Sequence, residues 1–328
     1  MTAMTAAEFG FRDPPASEPQ WLALAQAVFN GQAAKYDEEH CNGGLRWQAY
    51  SILNGYNYKN SISNGCLFNI ASRLALYTGN QTYADWAEKV FTWMEGVEFI
   101  DDSWAVYDGA GIEQNCTAIN PLQFSYNAGI FLLGAGTMYN LTESPHWKTR
   151  VDGLLNRTIA TFFPDGIATE VACEAQLTCT IDMYAQKAFL TRWMAATTKV
   201  APHTYDIVMP VLRTSAEAAV QQCCGGDTGR SCGLSWSKKK NWDGTQGVGQ
   251  QMGVLEVVQS LLIKKARPVF TNTTGGTSRD DPNAGMAPLD IFMDDWIIGT
   301  KDRAGAGVLT VVFGLGFAAM CAFMTFGK

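Results

Sequence analysis

Apolar side chains recur every three or four residues along most of this chain, and this spacing constrains the fold more than any other feature. The clearest run extends from Thr82 to Val97, where the apolar positions are Tyr83, Trp86, Val90, Met94 and Val97. Such spacing gathers apolar side chains on one face of an α-helix. It predicts eight helices, at Pro19 to Tyr36, Ser63 to Tyr77, Thr82 to Val97, 122–139, 145–162, 178–198, 204–223 and 246–265.

A shorter helical segment opens the chain. Residues 2–8 are mostly strong helix formers, and Gly10 followed by Pro14-Pro15 ends the segment. No alternation of apolar and polar residues is long enough for an extended sheet, so short hairpins near 45–58 and 104–119 are the only strands that the pattern allows. The sequence therefore predicts an all-α protein.

Three all-α architectures suit a chain of this length: a bundle, a solenoid and a toroid of helical hairpins. A solenoid shows a repeat of fixed period, and this sequence has none. Long loops rich in Gly, Asn and aromatic residues separate the predicted helices at 41–60, 101–121 and 225–246. Loops of this kind on a helical scaffold commonly carry a functional site.

The charge of the chain excludes one class of partner. The formal net charge is −7, whereas proteins that bind nucleic acid carry basic patches. The one basic run, Lys238-Lys239-Lys240, is expected to be a solvated loop. We expect no nucleic-acid partner.

Cysteine usage indicates the secretory pathway. Eight of the nine cysteines lie between Cys41 and Cys232, which suits up to four disulfides of undetermined pairing. Cys173 and Cys179 are close enough in sequence to bridge, as are Cys232 and either Cys223 or Cys224. No CxxC motif occurs and the three histidines lie far from most cysteines, so we expect no metal site.

Glycosylation signals agree with this compartment. Five Asn-x-Ser/Thr acceptors are present, at Asn80, Asn115, Asn140, Asn156 and Asn272. Each must lie at the surface to carry a glycan.

The C-terminal segment predicts attachment to a membrane. Residues 304–326 form an uncharged stretch of 23 residues, which is long enough to span a bilayer. Since little follows it, a glycolipid-anchor signal is favoured over a permanent span, although the upstream small triplet Asn283-Ala284-Gly285 leaves a long spacer. We expect a domain at 1–266, a linker at 267–303 with 271–285 as its flexible part, and an apolar tail at 304–328.

Three stretches carry the residue types that bind a neutral polyol: 43–65, 124–142 and 241–256. All combine Asn or Gln with Trp or Tyr and Gly. Amides hydrogen-bond to hydroxyl groups, and aromatic rings stack on the apolar faces of sugar rings. The run GVGQQMG lacks the Lys-Ser/Thr of a phosphate-binding loop, and no serine lies in a nucleophile-elbow motif.

These stretches carry a family resemblance. The strings YKNSISNGCLFNIASRLALYTGNQTYADWAEKVFTWM, FSYNAGIFLLGAGTMYN and WDGTQGVGQQMGVLEVVQSLL resemble glycoside hydrolase family 76, in its fungal, membrane-anchored cell-wall branch. The likeness covers residues 1 to about 265. It implies an (α/α)6 toroid, here incomplete, in which twelve helices form a ring with a groove at one end. It also implies a substrate containing α-1,6-linked mannose, and no cofactor.

The resemblance implies a set of groove residues. The residues implied to stack on sugar rings are Trp47, Tyr126 and Trp242. Contacts to sugar hydroxyl groups are assigned to the amides Asn60, Asn64, Asn127 and Gln246 and to Lys59 and Asp243. Tyr58 and Ser63 complete the set of groove residues. The alternative for each is a helix cap or a core aromatic residue.

The catalytic acids are expected elsewhere. Retaining hydrolysis needs two carboxyl groups about 5–5.5 Å apart, and the family carries them as an Asp-Asp pair just before a stretch resembling Met4 to Glu8. We therefore expect the pair to fall ahead of Met1 and no catalytic residue within this sequence. Asp101-Asp102 is expected to cap a helix, and Asp280-Asp281 and Asp294-Asp295 are expected to be solvated.

Three functions remain open on this basis. The first is a mannan endo-1,6-α-mannosidase-like glycosidase or transglycosidase in cell-wall organisation, acting on a mannose-containing or glycolipid-anchor glycan. The second is a non-catalytic carbohydrate-binding wall protein. The third is a fragment that leaves apolar helix faces exposed. The expected location is the outer face of the plasma membrane or the cell wall.

Overall fold

A computed structural model describes residues 1–238, 241–286 and 300–326 of the chain. These residues form two compact units, Met1–Gly285 and Met286–Lys328. The helices of the first unit are α1 (Thr2–Glu8), α2 (Trp21–Ala33), α3 (Ser61–Thr78), α4 (Gln81–Gly96), α5 (Ser125–Thr142), α6 (Pro145–Phe162), α7 (Gln186–Val200), α8 (Tyr205–Gln221) and α9 (Val248–Ser260). Its strands are β1 (Tyr58–Asn60) and β2 (Gly109–Gly111).

The first unit is an arc of helical hairpins. Along its inner side, α1 contacts α3, α3 packs along α5, α5 along α7, and α7 along α9. The outer helices α2, α4, α6 and α8 each pack against the inner helix that precedes them. This alternation is the hairpin plan of an (α/α)6 toroid, and it confirms the predicted fold class.

Small residues allow the inner helices to approach closely. A Cβ atom at Gly134 on α5 would overlap the ring of Phe68 on α3. Phe68 itself stacks on Phe131 and Trp147, with ring centroids 5.5 and 5.9 Å apart. The run of apolar and small residues in α5 is therefore buried on nearly all sides, because this helix lies between α3, α6 and α7.

All eight predicted helices are confirmed, with shifted ends. The largest shift is at α7, which begins at Gln186 instead of residue 178. The Cys173–Cys179 disulfide closes a loop ahead of it, and Ile181–Ala185 forms a 3-10 turn. Near the two predicted hairpins the structure has isolated antiparallel bridges, Arg46 with Lys59 and Gly109 with Asn120. The two strands β1 and β2 pair with each other, antiparallel, with Tyr58 opposite Gly111.

The segment predicted to begin the linker packs on the first unit. Phe270 donates its main-chain N–H to the Glu8 carbonyl at 2.7 Å, and Asn272 donates to the Tyr77 carbonyl at 2.9 Å. Farther along, the Ser278 hydroxyl accepts the Leu22 N–H at 3.0 Å. Residues 267–285 therefore run beside α1, α2 and α3. Residues 287–299, which include Asp294-Asp295, lie outside the described residues.

The second unit contains one long helix, α10 (Thr300–Phe326). Its stretch from Arg303 to Thr325 has a mean hydropathy of 2.1 and is long and apolar enough to cross a membrane.

Candidate functional site

Long loops gather at one end of the arc. Short turns at residues 79–80, 143–144 and 201–204 follow the inner helices α3, α5 and α7, whereas long loops precede the inner helices. Because each outer helix returns the chain, the N-termini of α3, α5, α7 and α9 share one end, which we call the groove end. The loops 34–57, 97–124 and 163–185 and the described parts of the last loop, 222–238 and 241–247, lie there. They contain or adjoin all three predicted motifs.

A cavity of about 580 Å³ opens at the groove end, beside the first turns of α3. Trp47 lines it and is 51% exposed. The Trp47 ring covers Gly55, where a Cβ atom would overlap it and where φ is +89°. The other lining residues are Gln32, Lys35, Asp37, Glu39, Leu45, Arg46, Gln48, Ala49, Tyr56, Ile62, Ser63 and Cys66. An exposed indole face at such a cavity suits the apolar face of a sugar.

Asp108 connects the first motif to the second. Tyr58 donates its hydroxyl to Asp108 Oδ2 at 2.7 Å, and Asn120 donates its amide to the same oxygen at 3.2 Å. Burial raises the pKa of Asp108, although these hydrogen bonds oppose the shift. Burial, and then the negative charges of Asp108 and Glu170, raise the pKa of Tyr126. The partly buried Asp108 carboxyl group thus accepts a hydrogen bond from Tyr58 and acts on Tyr126 through its charge.

Three predicted site residues have internal roles instead of facing the cavity. The Lys59 amine is fully buried and donates to the carbonyls of Asp37, His40 and Gly43 at 2.8, 2.6 and 2.6 Å. Asn64, also fully buried, exchanges hydrogen bonds with the Leu45 N–H and carbonyl and donates to the Asn60 carbonyl. The Asn60 side chain caps α3 by accepting the Ser63 N–H. Together they fix residues 37–45 against the start of α3.

The same loop contains an ion-pair cluster. Asp37, Glu39 and His40 bring their ligand atoms within 4.8 Å of one another. Asp37 already pairs with Arg46 at 2.8 Å and Lys59 at 3.4 Å. Burial opposes ionisation of Asp37, but the His40 hydrogen bond and the Lys59 and Arg46 charges lower its pKa to about 2. Two cations on one carboxylate leave little attraction for a metal ion.

The second motif forms the first turn of α5. Tyr126 is half-buried, and its ring meets Phe124 edge-on with centroids 6.1 Å apart. Asn127 is fully buried, and neither its side-chain oxygen nor its nitrogen has a hydrogen-bond partner. The structure therefore places Tyr126 at the groove end, against Phe124, and Asn127 within the helix packing.

A buried carboxyl group supports this turn from the next loop. Glu170 accepts the N–H and the hydroxyl of Ser125, which satisfies donors that a helix N-terminus leaves unpaired. Burial raises the pKa of Glu170 to about 7, against the hydrogen bonds from Ser125. Its own N–H donates to Glu174, which pairs with the buried Lys187 at 2.7 Å.

The third motif is a self-contained loop. Asp243 accepts the N–H groups of Leu234, Ser235 and Thr245 at 3.0, 2.7 and 2.9 Å. Trp242 donates its indole N–H to the Thr245 carbonyl at 2.8 Å and covers Gly225. Gln246 is exposed. Asp243 and Trp242 therefore hold the loop that precedes α9, and the exposed Gln246 places its side-chain oxygen against Gly226.

Neither adjacent aspartate pair in the described residues lines the cavity. Asp101 accepts hydrogen bonds from Ser103, Ala105 and Tyr107. They outweigh the effect of burial and lower the pKa of Asp101, which agrees with a turn cap. Asp280 and Asp281 are exposed in the segment that packs near α2.

The structure locates the disulfides and the predicted glycosylation acceptors. The disulfides are Cys41–Cys116, Cys173–Cys179 and Cys223–Cys232, so both local bridges are confirmed and the partner of Cys232 is Cys223. Cys66 is a free thiol on the cavity wall. All five acceptor asparagines are exposed.

Sequence reasoning missed Asp108 and Glu170. Asp108 directly precedes β2, and Glu170 lies in the loop before α7. Both act on residues that are distant in sequence, and no local motif marks either of them.

Comparison with known proteins gives consistent matches. The model of glycosyl hydrolase family 76 matches residues 1–273. A Schizosaccharomyces pombe relative is 47% identical over 287 residues, which cover 87% of this chain and 65% of the relative. Mannan endo-1,6-alpha-mannosidase DCW1 of Saccharomyces cerevisiae is 45% identical over 337 residues, covering 99% of this chain and 73% of that protein.

Solved structures agree with the sequence matches. The crystal structure of Dfg5 from Chaetomium thermophilum in complex with glucosamine has a TM-score of 0.84 and 54% identity, covering 87% of this chain and 71% of that one. An α-1,6-mannanase of Salegentibacter, in an inactive variant with two adjacent aspartates replaced and with α-1,6-mannotriose bound, has a TM-score of 0.62 and 17% identity over 74% of this chain and 69% of that one. The second match supports the fold alone.

Proposed function

Because this chain belongs to glycosyl hydrolase family 76, we propose that its groove end binds a glycan containing α-1,6-linked mannose. The proposed activity of the whole protein is that of a mannan endo-1,6-α-mannosidase or transglycosidase in fungal cell-wall organisation. The names of the relatives support this substrate class. The observation that carries the proposal is the exposed Trp47 ring at a 580 Å³ cavity.

Within the groove, we propose different roles for the predicted residues. Trp47 stacks on a sugar ring, and Ser63 and Gln246 offer polar groups to hydroxyls. Tyr126 forms part of the wall, with Tyr58 and Asp108 behind it. Four residues stabilise the loop conformations through internal hydrogen bonds: Lys59, Asn60, Asn64 and Asp243.

We propose that the described residues at the groove end contribute to glycan binding. The Salegentibacter α-1,6-mannanase is described as inactive when two adjacent aspartates are replaced. The adjacent pairs described here cap a turn or lie in solvent. A carbohydrate-binding wall protein without turnover is the second candidate, because the exposed Trp47 ring at the cavity suits a bound sugar whether or not it is cleaved.

The tail supports a membrane location. A helix with the length and hydropathy of Arg303 to Thr325 can span a bilayer, and a cleaved glycolipid-anchor signal has the same composition. We propose that either form of anchor holds the first unit at the outer face of the plasma membrane or in the wall.

Calorimetric titration of the full chain with α-1,6-mannotetraose tests the proposal. We expect saturable binding that Trp47→Ala weakens about tenfold, since an aromatic stacking contact contributes on the order of 1 kcal/mol beyond its buried area. Tyr50→Ala is the matched control, because Tyr50 is similarly exposed in the same loop but does not line the cavity. Equal binding by the wild type and Trp47→Ala would refute the stacking role. Product analysis of the same mixtures separates the glycosidase from the non-catalytic candidate.

A further inference from the structure

Four large apolar side chains of the first unit project almost fully into solvent. They are Ile52, Leu177, Ile181 and Val248, with exposed fractions of 90%, 77%, 82% and 76%. No other large apolar side chain described in Met1–Gly285 is as exposed; the next, Phe11, is 66% exposed. Such exposure of Ile, Leu and Val is unfavourable in water, and it marks an interaction surface when the residues share one face.

All four residues lie at the groove end. Ile52 is in the loop 34–57, and Leu177 and Ile181 are in the loop 163–185. Val248 is the first residue of α9. We call this set the apolar rim. Tyr50 and Leu53, which flank Ile52, are also exposed, so the tip of that loop is an aromatic and aliphatic surface.

Glycan acceptors are concentrated at the opposite end. Asn80 directly follows the last residues of α3, and Asn140 lies in the last turn of α5. Asn272 donates its main-chain N–H to Tyr77, near the end of α3. N-linked glycans are bulky and hydrophilic. Asn156 lies on the outer helix α6, and Asn115 lies at the groove end, where its side-chain oxygen accepts the Cys41 N–H.

We propose that the apolar rim contacts a lipid bilayer, so that the groove end of the first unit faces the membrane. Aliphatic side chains beside Trp and Tyr are typical of segments that enter the head-group region. The apolar rim and the glycan acceptors lie mainly at opposite ends, which fits one end on lipid and the other in water. The same chain carries a potential membrane span in α10, and the inference rests on the membrane attachment in the proposed function.

The experiment uses the full chain reconstituted in phosphatidylcholine vesicles without any glycan. A fluorescent amino acid is introduced singly at 52 or 181, and at 206 or 273 as controls. Asp206 and Thr273 are exposed and lie by the ends of α7 and α3, away from the groove end. Lipids that carry a nitroxide in the head-group region then quench a nearby fluorophore.

Side chains that enter the head-group region lie about 5–10 Å deep, so we expect quenching about threefold stronger at 52 and 181 than at 206 and 273. With the fluorophore at 177, Ile52→Asp together with Ile181→Asp should reduce quenching by about half, because charge opposes insertion. Val28→Asp, a change on the half-exposed surface of α2, should leave it unchanged.

Equal quenching at all four positions would overturn the proposal. The proposal would also be overturned if labels at position 52 showed energy transfer between protein copies, increasing with protein density, but no nitroxide quenching. That result would show that the apolar rim binds a second copy of the chain. A chain that fails to float with the vesicles refutes both the anchor and the rim. Glycan binding is measured separately in solution, so a failure of the proposed glycan-binding function can be told apart from a failure of the membrane proposal.

Discussion

Glu170 accepts both the main-chain N–H and the hydroxyl of Ser125, so a buried carboxyl group caps the helix that carries Tyr126 in its first turn. The two residues are 45 positions apart in sequence. The first turn of α5 is therefore held by the loop that precedes the next inner helix, and the ionisation of one carboxyl group affects it.

Glu170 should make stability depend on pH. Its pKa is raised to about 7 by burial, so between about pH 4.5 and 7 the folded state holds a proton that the unfolded state has lost. The contribution of Glu170 to the free energy of unfolding is thus fully present below about pH 4.5 and declines as the pH rises to about 7, at a limit of about 1.4 kcal/mol per pH unit. Urea unfolding from pH 4.5 to 8 measures this slope.

Glu170→Gln is the matched variant for that measurement. It keeps the shape and the hydrogen-bonding capacity of the side chain but cannot ionise. We expect its stability to exceed that of the wild type by a margin that grows toward pH 7 and then levels off. If the free energies of unfolding of the two proteins changed in parallel with pH across this range, Glu170 would not be the source of the pH dependence.

Lys59→Met should destabilise the first unit by about 3 kcal/mol or more. The substitution leaves the carbonyls of Asp37, His40 and Gly43 without their donor, and each buried unsatisfied polar group costs about 1–3 kcal/mol. Lys89→Met is the control, since Lys89 pairs with Glu38 at the surface and such pairs contribute less than about 1 kcal/mol. Chemical denaturation measures the free energy of unfolding of both variants. A similarly small decrease in both would contradict the internal role of Lys59.

Arg73→Met should also be strongly destabilising. The Arg73 guanidinium pairs with Glu8 while both side chains are buried, and it joins α3 to α1. Removing one partner from a buried pair costs about 3–5 kcal/mol. Arg192→Met tests the same chemistry at the surface, where Arg192 pairs with Glu256 and is half exposed. We expect the melting temperature to fall for Arg73→Met and to change little for Arg192→Met.

Loss of the Cys41–Cys116 disulfide should lower the free energy of unfolding by about 2–5 kcal/mol, since it closes a loop of 75 residues. Replacement of both cysteines by serine tests this by denaturation under non-reducing conditions. Cys66→Ser is the control, because Cys66 has no disulfide. Equal denaturation midpoints for the double variant and the control would contradict a stabilising role of this disulfide.

The helices could be predicted because their signal is local. Apolar spacing from Tyr83 to Val97 fixes the buried face of α4 without reference to the rest of the chain, and the observed helix ends at Gly96. The start of α7 could not be predicted in this way. Residues before Gln186 have helical spacing, but a disulfide loop and a 3-10 turn occupy that position.

The roles of individual site residues depend on distant partners. Asn64 and Trp47 belong to one motif, yet Asn64 is buried against Leu45 whereas Trp47 lines the cavity. Composition indicates that amides and aromatic rings are present but not which side of a loop they occupy. Asp108 and Glu170 escaped prediction for the same reason: their partners Tyr58 and Ser125 lie 50 and 45 residues away.

Hydrogen–deuterium exchange of the full chain, with and without α-1,6-mannotetraose, tests the central claim most directly. We expect the glycan to slow exchange in residues 45–64 and 122–127 and to leave the turns 79–80 and 143–144 unchanged. Slowed exchange confined to those turns, or none anywhere at saturating glycan, would contradict a binding groove at this end of the helical arc.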